Sequence, residues 1–449
     1  MARPTVTFFP SPRFGAAVAL QQQPGMRLRL RTAWATGELA RGSVVNLGFA
    51  VVNAAMAFAA TVFAGRALGP AGVGVLALGF FVLDLAGMLD NLGSAGFMRD
   101  YAAGEEPRKL ATVLRLKVLL GLGTAGLMAV LAWPLSVALS VPLELLLLFA
   151  AVPLTSIPSS VATMVHESRR RPWRRSTPGT SEAAVKLAMY AGLWLIVGAS
   201  SGVMHYAWAA LAASLGGALV GAVLIPPARL RDWDPGTAKS YLHFGLAAQA
   251  AGFLQKLQFW TDILLIDLLL QSHYQQGLYR TAYSVMAFIP LFAGTVAVFL
   301  FPAMSEASQL GDAARVRSLL RKSFGAVLAI AVPMALAALL LARPALRLFG
   351  PDFLDADWML RGLAIIALLP ALLVPFQALF PALGRPGISM GITAAMVALN
   401  VVLDLALIPV IGVLGALISS GCAFGAGLVL SFAAAQRMGV LGSPGGAPA

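Results

Sequence analysis

The chain has 449 residues, of which 59% are hydrophobic and only 11% charged, and its mean hydropathy is +0.82. A water-soluble protein of this length carries roughly a quarter charged residues, so a soluble globular domain is excluded. One cysteine, Cys422, read as a small core residue, and the scattered His166, His205, His243 and His273 leave no disulfide framework and no metal-ligand spacing.

Residues 1–25 hold no apolar core longer than "FGAAVAL", which is too short for a signal peptide. They read as a disordered extension before the basic lead-in "MRLRLRTAW". From there the apolar residues fall in blocks of about 20, the length that spans a bilayer as a helix. Twelve blocks are expected: 43–64, 72–93, 118–138, 144–164, 182–200, 204–225, 242–264, 276–301, 324–342, 360–382, 388–409 and 412–434. Only helices satisfy every backbone group within one span, so the fold class is an all-α polytopic membrane protein.

The formal charge of +13 is distributed by loop. With the N-terminus inside, 26 of the 32 Lys and Arg fall in inside segments and five in outside segments, with Lys256 left within a span. This bias places both termini in the cytoplasm and makes anionic lipid, not nucleic acid, the partner of the basic loops. The run "HESRRRPWRRSTPG" in the loop 165–181 reads as such a topology anchor.

The chain also repeats itself. Gly74 corresponds to Gly277, Gly217 and Gly221 to Gly421 and Gly425, and "PLTSIP" at 153–158 to "PALLVP" at 370–375. The small-xxx-small pairs let helices approach closely. Six spans followed by six in the same orientation make a parallel repeat, which suits a transporter with its site between two bundles. The expected organisation is a cytoplasmic tail at 1–40, a six-helix bundle at 41–225, a linker at 226–241, a second bundle at 242–435 and a tail at 436–449.

Charges inside spans carry the functional signal, because a carboxylate or ammonium at mid-membrane costs about 2.5–3.5 kcal/mol on insertion scales. Asp84 lies deep in the second span, facing a cavity or a partner helix. Asp90 lies about 9 Å nearer the cytoplasm and about 120° round the helix, so it is expected at the interface. Lys256 reads as the one basic residue deep within a span; an anionic ligand, snorkelling to the interface or an ion pair with Asp84 would satisfy it. Asn400 and Asp404 are four apart and share a helix face. They fit a coupling proton or sodium, or a hydrogen bond between helices. "DPGTAKSY" lacks the P-loop spacing, so no nucleotide cofactor is expected.

Several stretches resemble bacterial polysaccharide exporters, the Wzx-like oligosaccharide flippases: "GRALGPAGVGVLAL", "GMLDNLGSAGFMRDYA", "TDILLIDLLLQSHYQQGLYRTAYSV" and "GRPGISMGITAAMVALNVVLDLALIPVIGVLGALIS". The resemblance covers residues 40–435 in order. It implies a V-shaped pair of six-helix bundles in the bacterial inner membrane. Such a protein moves a polyprenyl-pyrophosphate-linked oligosaccharide across the bilayer by alternating access, without enzyme chemistry, cofactor or metal. Under it, Lys256 meets the pyrophosphate in the cleft, Arg66 and Arg280 either meet it near the outer mouth or serve as interface anchors, and Asp262 matches the family's aspartate at the outer end of the seventh span. The same superfamily holds multidrug antiporters and lipid II flippases, which are the rival readings. A membrane glycan polymerase or ligase would want a larger outer loop than the expected 343–358.

Overall fold

A computed structural model of the chain describes residues 38–441. The expectations for residues 1–25 and for most of both tails lie outside the described residues. The described chain is helical throughout, and nine of its helices are long and apolar enough to cross a membrane. The protein is therefore a multi-pass helical membrane protein.

The first helix, α1, runs Glu38–Asp90. At 1.5 Å per residue it would be about 80 Å long if straight, far more than a bilayer core. It breaks at Gly69, whose φ of 63° and ψ of −179° suit glycine, immediately before Pro70. There follow α2 (Ser94–Ala103), α3 (Pro107–Leu139), a helix broken into α4 (Leu143–Phe149), α5 (Val152–Thr155) and α6 (Ile157–Ser168), then α7 (Pro172–Ile196) and α8 (Val203–Leu224). A short linker leads to α9 (Pro235–Leu270). Next come α10 (His273–Met286) and α11 (Phe288–Gln309), α12 (Ala313–Leu340), α13 (Ala342–Arg347), α14 (Asp357–Ile366) and α15 (Leu368–Ala382). The chain closes with α16 (Pro386–Ile411) and α17 (Val413–Arg437).

Packing recurs in the two halves. In the first, α1 lies along α7 and α7 along α8; in the second, α9 lies along α16 and α16 along α17. Corners recur too: Gly69, Ser140 and Gly198 before the linker, and Gln271, Gly350 and Gly412 after it, all take positive φ. At this end the halves meet directly. Gly74 and Gly277, matched by the repeat, pack so tightly that a Cβ on Gly277 would collide with the Pro70 carbonyl. Arg66 Nε donates to the Leu348 carbonyl at 2.6 Å, and His273 Nε2 lies 3.1 Å from the Ser140 carbonyl.

Several expectations need correcting. The basic loop 165–181 is mostly helix, since α6 reaches Ser168 and α7 begins at Pro172. The third span begins at Pro107 rather than 118, and the ninth at Ala313 rather than 324. Basic residues extend a helix beyond its apolar stretch because their long stems pack while their heads find partners. Cys422 is exposed rather than core, because Ser419, Ser420 and Ala423 occupy the inward face of α17. Gly217 and Gly221 do pack closely, on α7 and on Pro158 and Ser159, but Gly425 meets nothing within 4 Å. Its place as a contact is taken by Gly427, tight against Met396.

Candidate functional site

Asp84 sits on α1 where it faces α9. Lys256 Nζ approaches its Oδ1 at 3.3 Å and donates to its backbone carbonyl at 3.1 Å, while Trp260 Nε1 donates to Oδ2 at 3.1 Å. The alternative raised for Lys256, an ion pair with Asp84, is what the geometry shows. The pair is open: the side chains are 48% and 40% exposed.

Around it gather cations on aromatic faces. Lys186 of α7 lies 4.1 Å from the Phe80 ring centre and 5.5 Å from that of Tyr190. Arg280 of α10 lies 5.3 Å from the ring centres of both Phe259 and Trp260. Arg280 and Lys186 each lie close enough to Asp84 to feel its charge. Glu182, one turn before Lys186, is a second carboxylate beside them. Cation–π contact holds each cation without neutralising it. Arg280 is thus a member of this cluster. Arg66 is not: it spans to Leu348 and lies 5.4 Å from the Trp194 ring centre.

Lys256 shares the described helices with other basic residues that are buried or half-buried. Lys117, Lys186 and Arg280 join it. Lys186 was assigned to a cytoplasmic segment because it stands at the edge of an apolar block. Its four-residue spacing from Glu182 on one helix face was the available signal.

Asp90 also differs from expectation. It is buried among protein side chains rather than exposed, and meets Lys117 Nζ at 3.5 Å through Oδ2. Lys117 in turn donates to the Asp90 carbonyl at 2.7 Å and to Asn91 Oδ1 at 3.1 Å. Gln249 of α9 donates to the Asn91 carbonyl at 3.0 Å, tying the second half to this corner.

A second polar cluster lies inside the C-terminal half. Asp262 is buried about two turns before the end of α9. It accepts from Tyr279 Oη at 2.5 Å, Ser420 Oγ at 2.6 Å and Asn400 Nδ2 at 3.0 Å. Asp404, one turn along α16 from Asn400, is fully buried beside it, and neither of its carboxylate oxygens has a hydrogen-bond partner among the described residues. Adjacent buried carboxylates repel, and a bound proton or monovalent cation removes that repulsion. Among the described residues no three His, Cys, Asp or Glu side chains converge as a metal site.

Comparison with known proteins gives this architecture a context. A family profile described as "Polysaccharide biosynthesis protein" matches residues 63–356. The probable low-salt glycan biosynthesis flippase Agl15 of Haloferax volcanii is 28% identical over 193 residues, 42% of this chain and 40% of that protein. The chain therefore aligns with about two fifths of that relative's length. Among solved structures, an inward-facing multidrug resistance MATE family transporter of the MOP superfamily superposes with a TM-score of 0.72 at 14% identity, covering 88% of this chain and 98% of that one. The lipid II flippase MurJ, in an inward closed conformation, superposes with a TM-score of 0.66 at 14% identity, covering 86% and 87%. These superpositions establish the fold.

Proposed function

We propose, because this chain belongs to the polysaccharide biosynthesis protein family, that it flips a polyprenyl-pyrophosphate-linked oligosaccharide across the plasma membrane. The observation that carries this reading is the cluster of Lys186, Lys256 and Arg280, on helices from both halves, around the half-exposed Lys256–Asp84 pair. Pyrophosphate is the group on such a substrate that most needs cations. Its arrival would draw Lys256 from Asp84, and Arg280 and Lys186 would move from aromatic faces to phosphate oxygens by charge-assisted hydrogen bonds. Breaking a contact that spans the halves gives the substrate leverage on their relative position. The polyprenyl tail can remain in lipid while the head crosses.

The twelve-span count, with α1 as two spans and with α7 and α9 crossing, belongs to this proposal. So do the division into bundles at 41–225 and 242–435, the cytoplasmic position of both termini and the alternating-access cycle. The Asp262–Asp404 cluster is the coupling site in this scheme, holding a proton or sodium ion in one state and releasing it in the other. The similarity to Agl15 supports a glycan substrate, and the excess of three cations over the two carboxylates Asp84 and Glu182 disfavours an organic-cation antiporter.

The test is reconstitution. Proteoliposomes carrying the chain should move a fluorescent polyprenyl-pyrophosphate oligosaccharide between leaflets, and a double Lys186→Met, Arg280→Met protein should lose about 10- to 100-fold in rate, as expected for one or two charged hydrogen bonds. Equal transport by the double variant would defeat the pyrophosphate reading. Transport of organic cations but not of the lipid-linked sugar would establish the antiporter instead.

A further inference from the structure

The C-terminal half contains a cavity of about 290 Å³ that the cationic cluster does not use. It exists because two helices bend. The α10–α11 helix breaks at Ala287 and the α14–α15 helix at Ala367, and Pro290 and Pro370, three residues past each break, line the space. Proline removes a helix hydrogen bond and crowds the preceding turn, which keeps the bends open.

Its lining has a distinct chemistry. None of the side chains around it is charged. Phe259, Tyr283 and Phe424 present ring faces or edges, and Gln258, Gln377 and Ser389 supply amide and hydroxyl groups. Among the described residues, both polar atoms of the Gln258 amide and the Ser389 hydroxyl lack a hydrogen-bond partner. Leaving such groups unpaired costs about 1–3 kcal/mol each, a demand that an occupant with hydroxyls would meet once these buried side chains rotate toward it.

We propose that this cavity binds an uncharged sugar ring of the lipid-linked head group, next to the cations that take its pyrophosphate. The inference rests on the flippase reading. A pyranose offers an apolar C–H face to aromatic rings and hydroxyls that both donate and accept, the complement of this lining. A prenyl tail would leave the amide and hydroxyl unpaired, and a uronic acid or phosphorylated sugar would find no counter-charge. The volume is at the lower limit of ordinary ligand pockets and holds about one or two rings, not an oligosaccharide. The position also fits. Phe259 carries Arg280 near one side and stacks edge-on with Tyr283 at 4.7 Å, so the wall of the cavity is the floor of the cationic cluster. Ser420 lines the cavity and donates to Asp262, which gives a bound sugar direct mechanical access to the buried carboxylates.

Saturation-transfer NMR on the full chain in nanodiscs tests this, with four probes: neutral disaccharides, glucuronic acid, farnesol and inorganic pyrophosphate. At least one neutral disaccharide should bind, glucuronic acid and farnesol should not compete with it, and Gln258→Leu should weaken it roughly tenfold while leaving pyrophosphate binding unchanged. Leucine keeps the bulk and removes only the unpaired amide, so the variant should fold; Gln377→Ala at the rim gives the same reading independently. Pyrophosphate binding without any disaccharide binding overturns the sugar pocket and leaves the flippase reading standing. Competition by farnesol assigns the cavity to the lipid tail, and competition by glucuronic acid removes the selectivity for neutral sugars. Failure of pyrophosphate itself to bind strikes at the flippase reading on which the pocket depends.

Discussion

Asp84 and Asp90 are six residues apart on α1, and each meets a lysine from another helix, yet the two pairs live in opposite environments. Asp90 and Lys117 are 7% and 1% exposed and belong to the same half. Asp84 and Lys256 are 48% and 40% exposed and join different halves. A buried pair holds because each ion is the other's main compensation for lost water. An open pair contributes little to stability and can exchange its partner for a ligand. The same two residue types thus make a structural rivet in one place and a releasable contact in the other.

The comparison is broken most forcefully by removing one partner of each pair. Lys117→Met should leave Asp90 buried without compensation and cost about 3–5 kcal/mol, most of a typical protein's margin. The measurable result is collapse of folded protein after membrane extraction, by size-exclusion fluorescence. Lys256→Met should extract and migrate normally. If both variants fold equally well, the two pairs are not different in kind.

Replacing both members of the buried pair sharpens the contrast. Asp90→Leu with Lys117→Met should recover most of the folded protein, since no charge is stranded. Recovery to less than half of wild-type yield would show that the Lys117 bonds to the Asp90 carbonyl and Asn91 carry more of the stability than the ion pair.

At the open pair the expected effect is on transport. Lys256→Met should lower glycan transport by about tenfold at normal abundance, and Lys256→Arg should keep part of the rate because arginine still reaches phosphate oxygens. Asp84→Asn combined with Lys256→Met should be no slower than Lys256→Met alone, because these two groups act as one unit. Additive losses in the double variant would mean that Asp84 and Lys256 serve separate steps.

The smallest effect belongs to a third carboxylate, half-buried at the surface. Asp234 caps α9, accepting from Gly236 N at 3.1 Å and Thr237 Oγ1 at 2.5 Å. The Thr237 hydroxyl first, then the Gly236 and Thr237 N–H groups, hold its carboxyl below the usual range. A depressed folded-state value means the cap's contribution is present above the unfolded value of about 3.9 and fades as pH falls through the folded one. Thermal unfolding of Asp234→Ala should therefore differ slightly from wild type at pH 7, and the two curves should converge below about pH 4. A difference that persists in acid would place the cap's contribution in its neutral hydrogen bonds.

Hydropathy found the class, most of the spans and the two charges at the cleft, because a charge in lipid is conspicuous against apolar neighbours. Two lysines escaped it for one reason. Lys117 and Lys186 stand at the ends of apolar blocks, where a window of residues reads them as loop, and their partners Asp90 and Glu182 are distant or equally polar in appearance. The second cluster was half legible: Asn400 and Asp404 share a face by spacing alone, but nothing local links them to Asp262, Tyr279 and Ser420, which arrive from three other helices.

By itself the sequence determined that the chain spans a membrane as helices, repeats its pattern and carries intramembrane charges, since each of these follows from composition or from periodicity along one helix. Only the tertiary structure decided which charges pair, which stay open and where an uncharged cavity forms beside them. Those outcomes depend on which helix faces which, and a helix's own sequence fixes its faces but not the neighbour each face will meet.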